Sequence, residues 1–174
     1  GKQYYGGGVE YGPKALSEAQ WRTQFNIDQD GDLYPTHGAG PVMQYANITR
    51  GNRFTNLVSF SSKAKGLADY VETQSPGHPN AKLNFKNGDV TTTLINCANG
   101  ETVMLTHDVH LPRPYSLGFR VQGTNGLWMD VNKSIHIEGK SKPHAWDSVK
   151  EWFDKYDHPL WKKYEKDALG AGHG

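Results

Sequence analysis

The chain predicts an α+β fold built on antiparallel strands, and three observations carry that prediction. The run Asp89–Cys97 is β-branched for most of its length, and Asn99-Gly100 then turns it into a returning strand at Glu101–His110. Two regions, one near residue 20 and one beyond residue 144, space their apolar residues as helices do. Further strand-like segments follow, joined by turn signals such as Thr124-Asn125-Gly126, which makes a meander of antiparallel strands.

Taken in order, the first sixteen residues are rich in Gly and Tyr and read as an irregular surface segment. The triplet Gly6-Gly7-Gly8 lacks the preceding strand and following helix that a phosphate-cradling loop requires. Ser17 with Gln20 has the form of a capping box, opening a short helix that carries Trp21, Arg22 and Phe25. Pro41–Ile48 reads as a second helix that stops at Arg50-Gly51-Asn52. Leu57–Ser61 alternates as a strand, Lys63–Glu72 forms a short polar helix, and Ser75–Asn87 is a loop. After the hairpin centred on Asn99-Gly100, Leu117–Gln122, Leu127–Val131 and Ser134–Glu138 continue the meander. Residues 144–168 are helical, broken at Asp157-His158-Pro159, with an aromatic stripe that includes Trp152 and Trp161. At helical spacing such a stripe marks core or interface, so Trp152 and Trp161 are expected to pack. The tail from Gly170 to Gly174 is expected to be disordered.

Composition narrows the function classes. With 174 residues the chain suits one domain with a real core. The 19 basic and 18 acidic residues leave a formal charge of +1, without the basic stripe of a nucleic-acid surface. A hydrophobic content of 36% is low, while 20 Gly and 5 Trp are high, which favours many turns and exposed rings of the kind on which sugars stack. Cys97 is the single cysteine, so an intrachain disulfide is impossible; it reads as a small buried residue. No apolar run reaches the length of a membrane span, and no signal peptide opens the chain.

The candidate site lies in the stretch Gly31–Pro41, where five Gly or Pro residues surround Tyr34 and His37. A Tyr and a His three residues apart on such a constrained path can converge on one small molecule; the alternative is a loop that caps the next helix. The segment Asn26–Gly31 resembles the start of a calcium loop, but His37 stands where the loop needs a bidentate Glu, so a turn is expected. His107, Asp108 and His110 offer metal-ligating side chains. On a strand His107 points away from the other two, so no metal site is expected.

Six segments, in this order, resemble one known family: Glu18–Thr23, Leu33–Gly38, Gly40-Pro41-Val42, Asn47–Asn52, His107-Asp108-Val109 and Arg113–Ser116. Together they look like the C-terminal part of the NAD-dependent α-N-acetylgalactosaminidases, glycoside hydrolase family 109. These are members of the wider Gfo/Idh/MocA oxidoreductase superfamily. The resemblance implies an open, mainly antiparallel β-sheet with helices packed on one face, the free face serving homo-oligomer formation. It implies that residues 1–174 form the substrate-binding and oligomerisation domain, with the NAD-binding Rossmann domain absent from this chain. It implies a redox-assisted elimination, in which NAD takes hydride from the sugar, the glycosidic oxygen leaves, water adds and hydride returns. His37 and Tyr34 are then the catalytic candidates, and Arg22, Tyr34, Pro35, Thr36, His37, Tyr115 and Tyr5 the substrate-contacting ones. The implied partner is an N-acetylgalactosamine-type glycan, with no nucleic acid and no metal, and the implied location is the bacterial periplasm or exterior. The family's upstream catalytic residues have no counterpart here, so the chain alone is expected to be inactive. Two other readings are the corresponding domain of a sugar dehydrogenase and a non-catalytic carbohydrate-binding or assembly module.

Overall fold

A computed structural model describes residues 18–168 apart from Ser75 and His78, with the backbone alone at residues 18–22, 74 and 168. The irregular segment before Ser17, the Ser17 cap, Tyr5 and the glycine-rich tail lie outside the described residues. The chain divides into two compact units, Gly1–Pro114 and Tyr115–Gly174.

In the first unit α1 (Glu18–Asp28) and α2 (Thr36–Tyr45) precede β1 (Phe54–Ser61), followed by α3 (Gly66–Gln74), a 3₁₀ turn at Pro79–Lys82, β2 (Val90–Cys97) and β3 (Thr102–Asp108). The strands form an antiparallel sheet in the order β1-β2-β3, in which Leu94 pairs with both Val58 and Met104. Strand alternation sorts the residues of β2 and β3. Ile95, Cys97, Val103 and Leu105 are buried with Ile48 against Ala39, Val42, Met43 and Ala46 of α2 and the segment after it. On the same face of β2, the buried hydroxyls of Thr91 and Thr93 pair with Ser61 (2.9 Å) and Ser59 (2.8 Å). On the opposite face Val58, Leu94, Met104 and Phe60 are all exposed, Phe60 to 73%, beside the polar Thr92, Asn96, Thr102 and Thr106. A second small core joins Leu67 and Val71 of α3 to Phe85 and Ile27.

Burial raises the pKa of the Cys97 thiol, and the neighbouring Glu101 adds to the shift. Cys97 is thus a protonated core residue, as its position in a strand-like run implied.

In the second unit β4 (Arg120–Gly123), β5 (Gly126–Met129), β6 (Ser134–Ile137) and β7 (Asp147–Ser148) form an antiparallel sheet in that order, followed by α4 (Val149–Tyr156) and α5 (Pro159–Ala168). Ser148 caps α4, its Oγ accepting from the backbone N–H of Lys150.

The α+β class and the antiparallel pairing match the expectation; several element boundaries do not. The strands form two sheets rather than one meander, because Pro112 and Pro114 interrupt the chain between β3 and β4. The helix expected from residue 144 begins at Val149, since Asp147 and Ser148 are taken up by pairing with Ile135 and Ser134. The loop expected at 75–87 contains the 3₁₀ turn. The aromatic stripe of α4 and α5 is not core in this chain: Val149 is the buried residue of α4, while Phe153, Tyr156, Trp161 and Tyr164 are exposed and Trp152 is half-buried. Trp152 stacks on Tyr156, with Lys140 near both rings.

Candidate functional site

The stretch Gly31–Pro41 is only half a loop. Residues from Thr36 onward form α2, five residues earlier than the proline-led start the sequence predicts, and Pro41 sits inside the helix. Packing overrides propensity here. Ala39, Val42 and Met43 lie against the sheet, and Gly38 leaves just enough room for Leu105, which an added Cβ would meet at 3.4 Å. Pro41 has no N–H to give the His37 carbonyl.

This early helix start is what brings Tyr34 and His37 together. Pro35 already has helical φ and ψ (−71°, −16°), so Tyr34 and His37 fall three residues apart on one helical face. Their rings stack with centroids 4.6 Å apart and planes at 30°. Both side chains are exposed, Tyr34 at 37%, and so are Pro35 and Thr36. An imidazole held against an aromatic face and open to solvent can accept or return a proton at a bound hydroxyl group.

The approach to this pair is fixed by a buried network that sequence reading did not find. Asn26 and Asn87 are 0% and 1% exposed. The Asn87 side-chain amide donates to Asn26 Oδ1 (2.9 Å), and its Oδ1 accepts from the Gly31 backbone N–H (3.1 Å). The Asn26 carbonyl accepts from the backbone N–H groups of Lys86 and Asn87, both at 3.0 Å. Asp30 Oδ1 accepts from the Gly88 N–H (3.0 Å), and Asp32 Oδ1 from the Tyr34 N–H (2.8 Å). Gly31 takes φ +150°, a conformation closed to most side chains. Asn26 and Asp30 thus direct their polar groups to the chain itself, where a calcium loop would have turned them toward an ion. The visible signal was the acidic and amide alternation; its partner segment, 56 to 61 residues away, was not deducible from it.

The other motif residues are more dispersed. Arg22 lies in α1, where its backbone alone is described, and Tyr5 is outside the described residues. Tyr115 is 81% exposed and opens the second unit. Arg113 bends back on the end of β3, its Nε 3.3 Å from the Asp108 carboxylate and donating to the Asp108 carbonyl at 2.8 Å. The Asn47–Asn52 segment is a helix stop and clamp. Asn52 donates to the Ala46 carbonyl (2.7 Å) and Glu101 (2.9 Å), and accepts from the N–H groups of Arg53 (2.9 Å) and Asn99 (3.1 Å). That uses all four hydrogen-bonding positions of a buried amide and ties the end of α2 to the β2–β3 turn. Thr49, a β-branched residue, is held at φ +68° in this clamp.

The expectation that His107 points away from His110 is corrected. Strand β3 ends at Asp108, so period-two alternation stops there, and the two rings meet edge to face with centroids 6.1 Å apart. His110 is buried, 4.0 Å from Asp89, whose carboxylate accepts from the N–H groups of Lys65 and Gly66 at the start of α3. No cluster of three metal-ligating side chains exists among the described residues.

Burial, reinforced by the nearby His107 charge, lowers the His110 pKa from 6.5 to about 4, against the opposing pull of Asp89. The unfolded chain therefore binds a proton between pH 6.5 and 4 that the folded chain refuses. Stability from this residue is full above pH 6.5 and falls as pH drops toward 4, by about 3 kcal/mol in all at ~1.4 kcal/mol per pKa unit. Denaturant unfolding at pH 7.5 and 4.5 is expected to show this loss, and His110→Asn to flatten it. Equal pH dependence in both proteins would remove His110 as its source.

The first unit thus displays an aromatic–imidazole pair beside a buried amide network. Comparison with known proteins shows the family to which such a chain belongs. The family described as "Glycosyl hydrolase 109, C-terminal domain" matches residues 1–174, and the chain belongs to it. It is 56% identical, over 99% of its length, to a glycosyl hydrolase family 109 protein of Stenotrophomonas maltophilia. It is 54% identical, over 97% of its length, to a protein of Tannerella forsythia named alpha-N-acetylgalactosaminidase. A Shewanella oneidensis protein of the same name is 45% identical over 88% of the chain. The chain spans 38%, 36% and 35% of these three relatives.

Proposed function

We propose that this chain is the substrate-binding part of a glycosidase that removes terminal α-linked N-acetylgalactosamine, working with NAD bound elsewhere in a longer polypeptide. The observation that carries the reading is the stacked Tyr34–His37 pair, exposed at the start of α2 in a chain of this family. Two relatives carry the name alpha-N-acetylgalactosaminidase, which supports this choice of sugar.

This chain's described residues do not fit the dinucleotide itself. No described strand passes through a G-x-G-x-x-G turn into a helix, so the cofactor's phosphates would be held outside the described residues. The cofactor, when bound, supplies reversible hydride acceptance at a sugar carbon. The residues of this chain do the rest of the work proposed here. His37 takes and returns the proton of the sugar hydroxyl at the reacting carbon. Tyr34 holds the imidazole in place and offers its phenol oxygen to the sugar. Pro35 and Thr36 shape the contact, and Arg22, Tyr115 and Tyr5 bind the sugar's polar groups.

The test is an assay of the full-length protein with an aryl α-N-acetylgalactosaminide, with bound NAD present and removed. Release of the aryl alcohol that depends on NAD is expected. Hydrolysis that persists without NAD would overturn the redox part, and no hydrolysis of any α-N-acetylgalactosaminide would overturn the substrate.

The bare row Val58–Leu94–Met104, with Phe60 beside it, supports homo-oligomer formation through the free sheet face. Leu94→Asp in the full-length protein is expected to lower its mass in sedimentation equilibrium; an unchanged mass would exclude that face.

A further inference from the structure

The second unit contains a cavity of about 790 Å³ that the proposed active-site residues do not line. Its walls come from β4 to β6 and the 139–146 loop, and they include Gln122, Thr124, His136, Glu138, His144 and Trp146. That volume falls within the range of small-molecule sites.

The loop is tied down along its length. Ser141 N–H and Lys140 N–H donate to the Ile137 carbonyl at 2.8 and 3.1 Å. Ser141 Oγ accepts from the Ile137 N–H (2.8 Å) and donates to Asp147 (2.6 Å). His136 Nδ1 lies 2.8 Å from the Ala145 carbonyl, so that nitrogen carries the proton and Nε2 of the neutral ring is an acceptor. His144, on the cavity wall, is held at φ +58°, a strained conformation for a non-glycine residue and one that clusters at ligand clamps.

The polar groups that remain are complementary to a polyol. Glu138 is exposed, and its carboxylate stands 3.9 Å from His136 Nε2, too far for a direct hydrogen bond. Two acceptors so placed suit two adjacent hydroxyl groups, each donating to one of them. Gln122 Oε1 is taken by Arg120, which leaves its amide N–H groups as donors. Trp146 is 46% exposed on the same wall. Galacto-configured sugars gather their ring C–H groups on one face, and such a face rests on an indole ring while the hydroxyl edge hydrogen-bonds outward. The Glu138 charge disfavours acidic sugars.

We propose that this cavity is a second saccharide site, taking one neutral sugar unit of a glycan with Trp146 as platform and Glu138 and His136 as hydroxyl acceptors. The choice of galacto-configured sugars rests on the proposed function; the site itself rests on the cavity. Its role would be to hold a branched or polymeric substrate on the protein while the terminal sugar is cleaved elsewhere.

Full-length protein labelled with 5-fluorotryptophan tests this by fluorine NMR, titrated with galactose and with N-acetylgalactosamine. The Trp146 resonance, identified by its loss in Trp146→Phe, is expected to move saturably with a millimolar midpoint. Glu138→Gln, an exposed change, is expected to weaken that midpoint at least threefold. Turnover of a small aryl glycoside should be unchanged in both variants, and that readout judges the active site separately. A Trp146 resonance that stays still with either sugar, or a midpoint unmoved by Glu138→Gln, overturns the proposal.

Discussion

His37→Ala in the full-length protein is expected to lower kcat/KM by about 10²- to 10⁴-fold, the usual contribution of a positioned proton-transfer group. The fold should barely notice. His37 is exposed, and its ring contact is the stack on Tyr34, so the loss of stability should stay within about 0.5 kcal/mol. Tyr34→Phe separates the two functions of the pair: it keeps the ring against His37 and removes only the hydroxyl. A smaller loss of activity in Tyr34→Phe than in His37→Ala is the expected ranking. Near-normal turnover by a folded His37→Ala protein would take the imidazole out of the chemistry altogether.

Asn87→Ala is expected to be the most damaging single change to the first unit. It removes the acceptor of the half-buried Gly31 N–H and the amide that donates to the buried Asn26 side-chain oxygen. At about 1–3 kcal/mol for each hydrogen bond that loses its partner, the loss should be roughly 2–6 kcal/mol, read by denaturant unfolding. Asn87→Asp discriminates further. Its carboxylate still accepts from Gly31 but meets Asn26 Oδ1 with a second acceptor, unless the Asn26 amide flips to present its N–H groups. Activity of the full-length Asn87→Asp protein should fall by more than its stability predicts, because the path into Tyr34 is disturbed. Two variants as stable and active as the parent would show that the network does not set the site.

How much of this was legible depended on the range of the interaction that decided each element. Strands β2 and β3 were readable because β-branched residues and Asn99-Gly100 act locally, and the register follows from the turn. The Tyr34–His37 candidate was readable from spacing. Its geometry was not, because glycines and Pro41 disguise a helix that the sheet imposes from outside. The Asn26–Asn87 pair was illegible for the same kind of reason: neither residue's neighbours in sequence hint at a partner about sixty positions away. Asp89 looked like the start of a strand and proved to be the remote cap of α3. Trp152 and Trp161 carried a helical period that correctly marked a helix but could not say what the helix face would meet.

One property of α2 reaches past its geometry. Relative to alanine, Gly38 and Gly40 each cost a helix interior about 1 kcal/mol and Pro41 about 3 kcal/mol, so the segment carries a deficit near ~5 kcal/mol. As an isolated peptide it would be a coil. Its order depends on Leu105, Val103 and Ile95 beneath it, and it is lost whenever those contacts loosen. The geometry of the Tyr34–His37 pair is therefore a sensor of the core. Heat, denaturant or a cavity cut under α2 should silence it while most of the backbone signal in a circular dichroism spectrum is still intact. Inactivation would then run ahead of unfolding, with its midpoint set by residues that never approach a sugar.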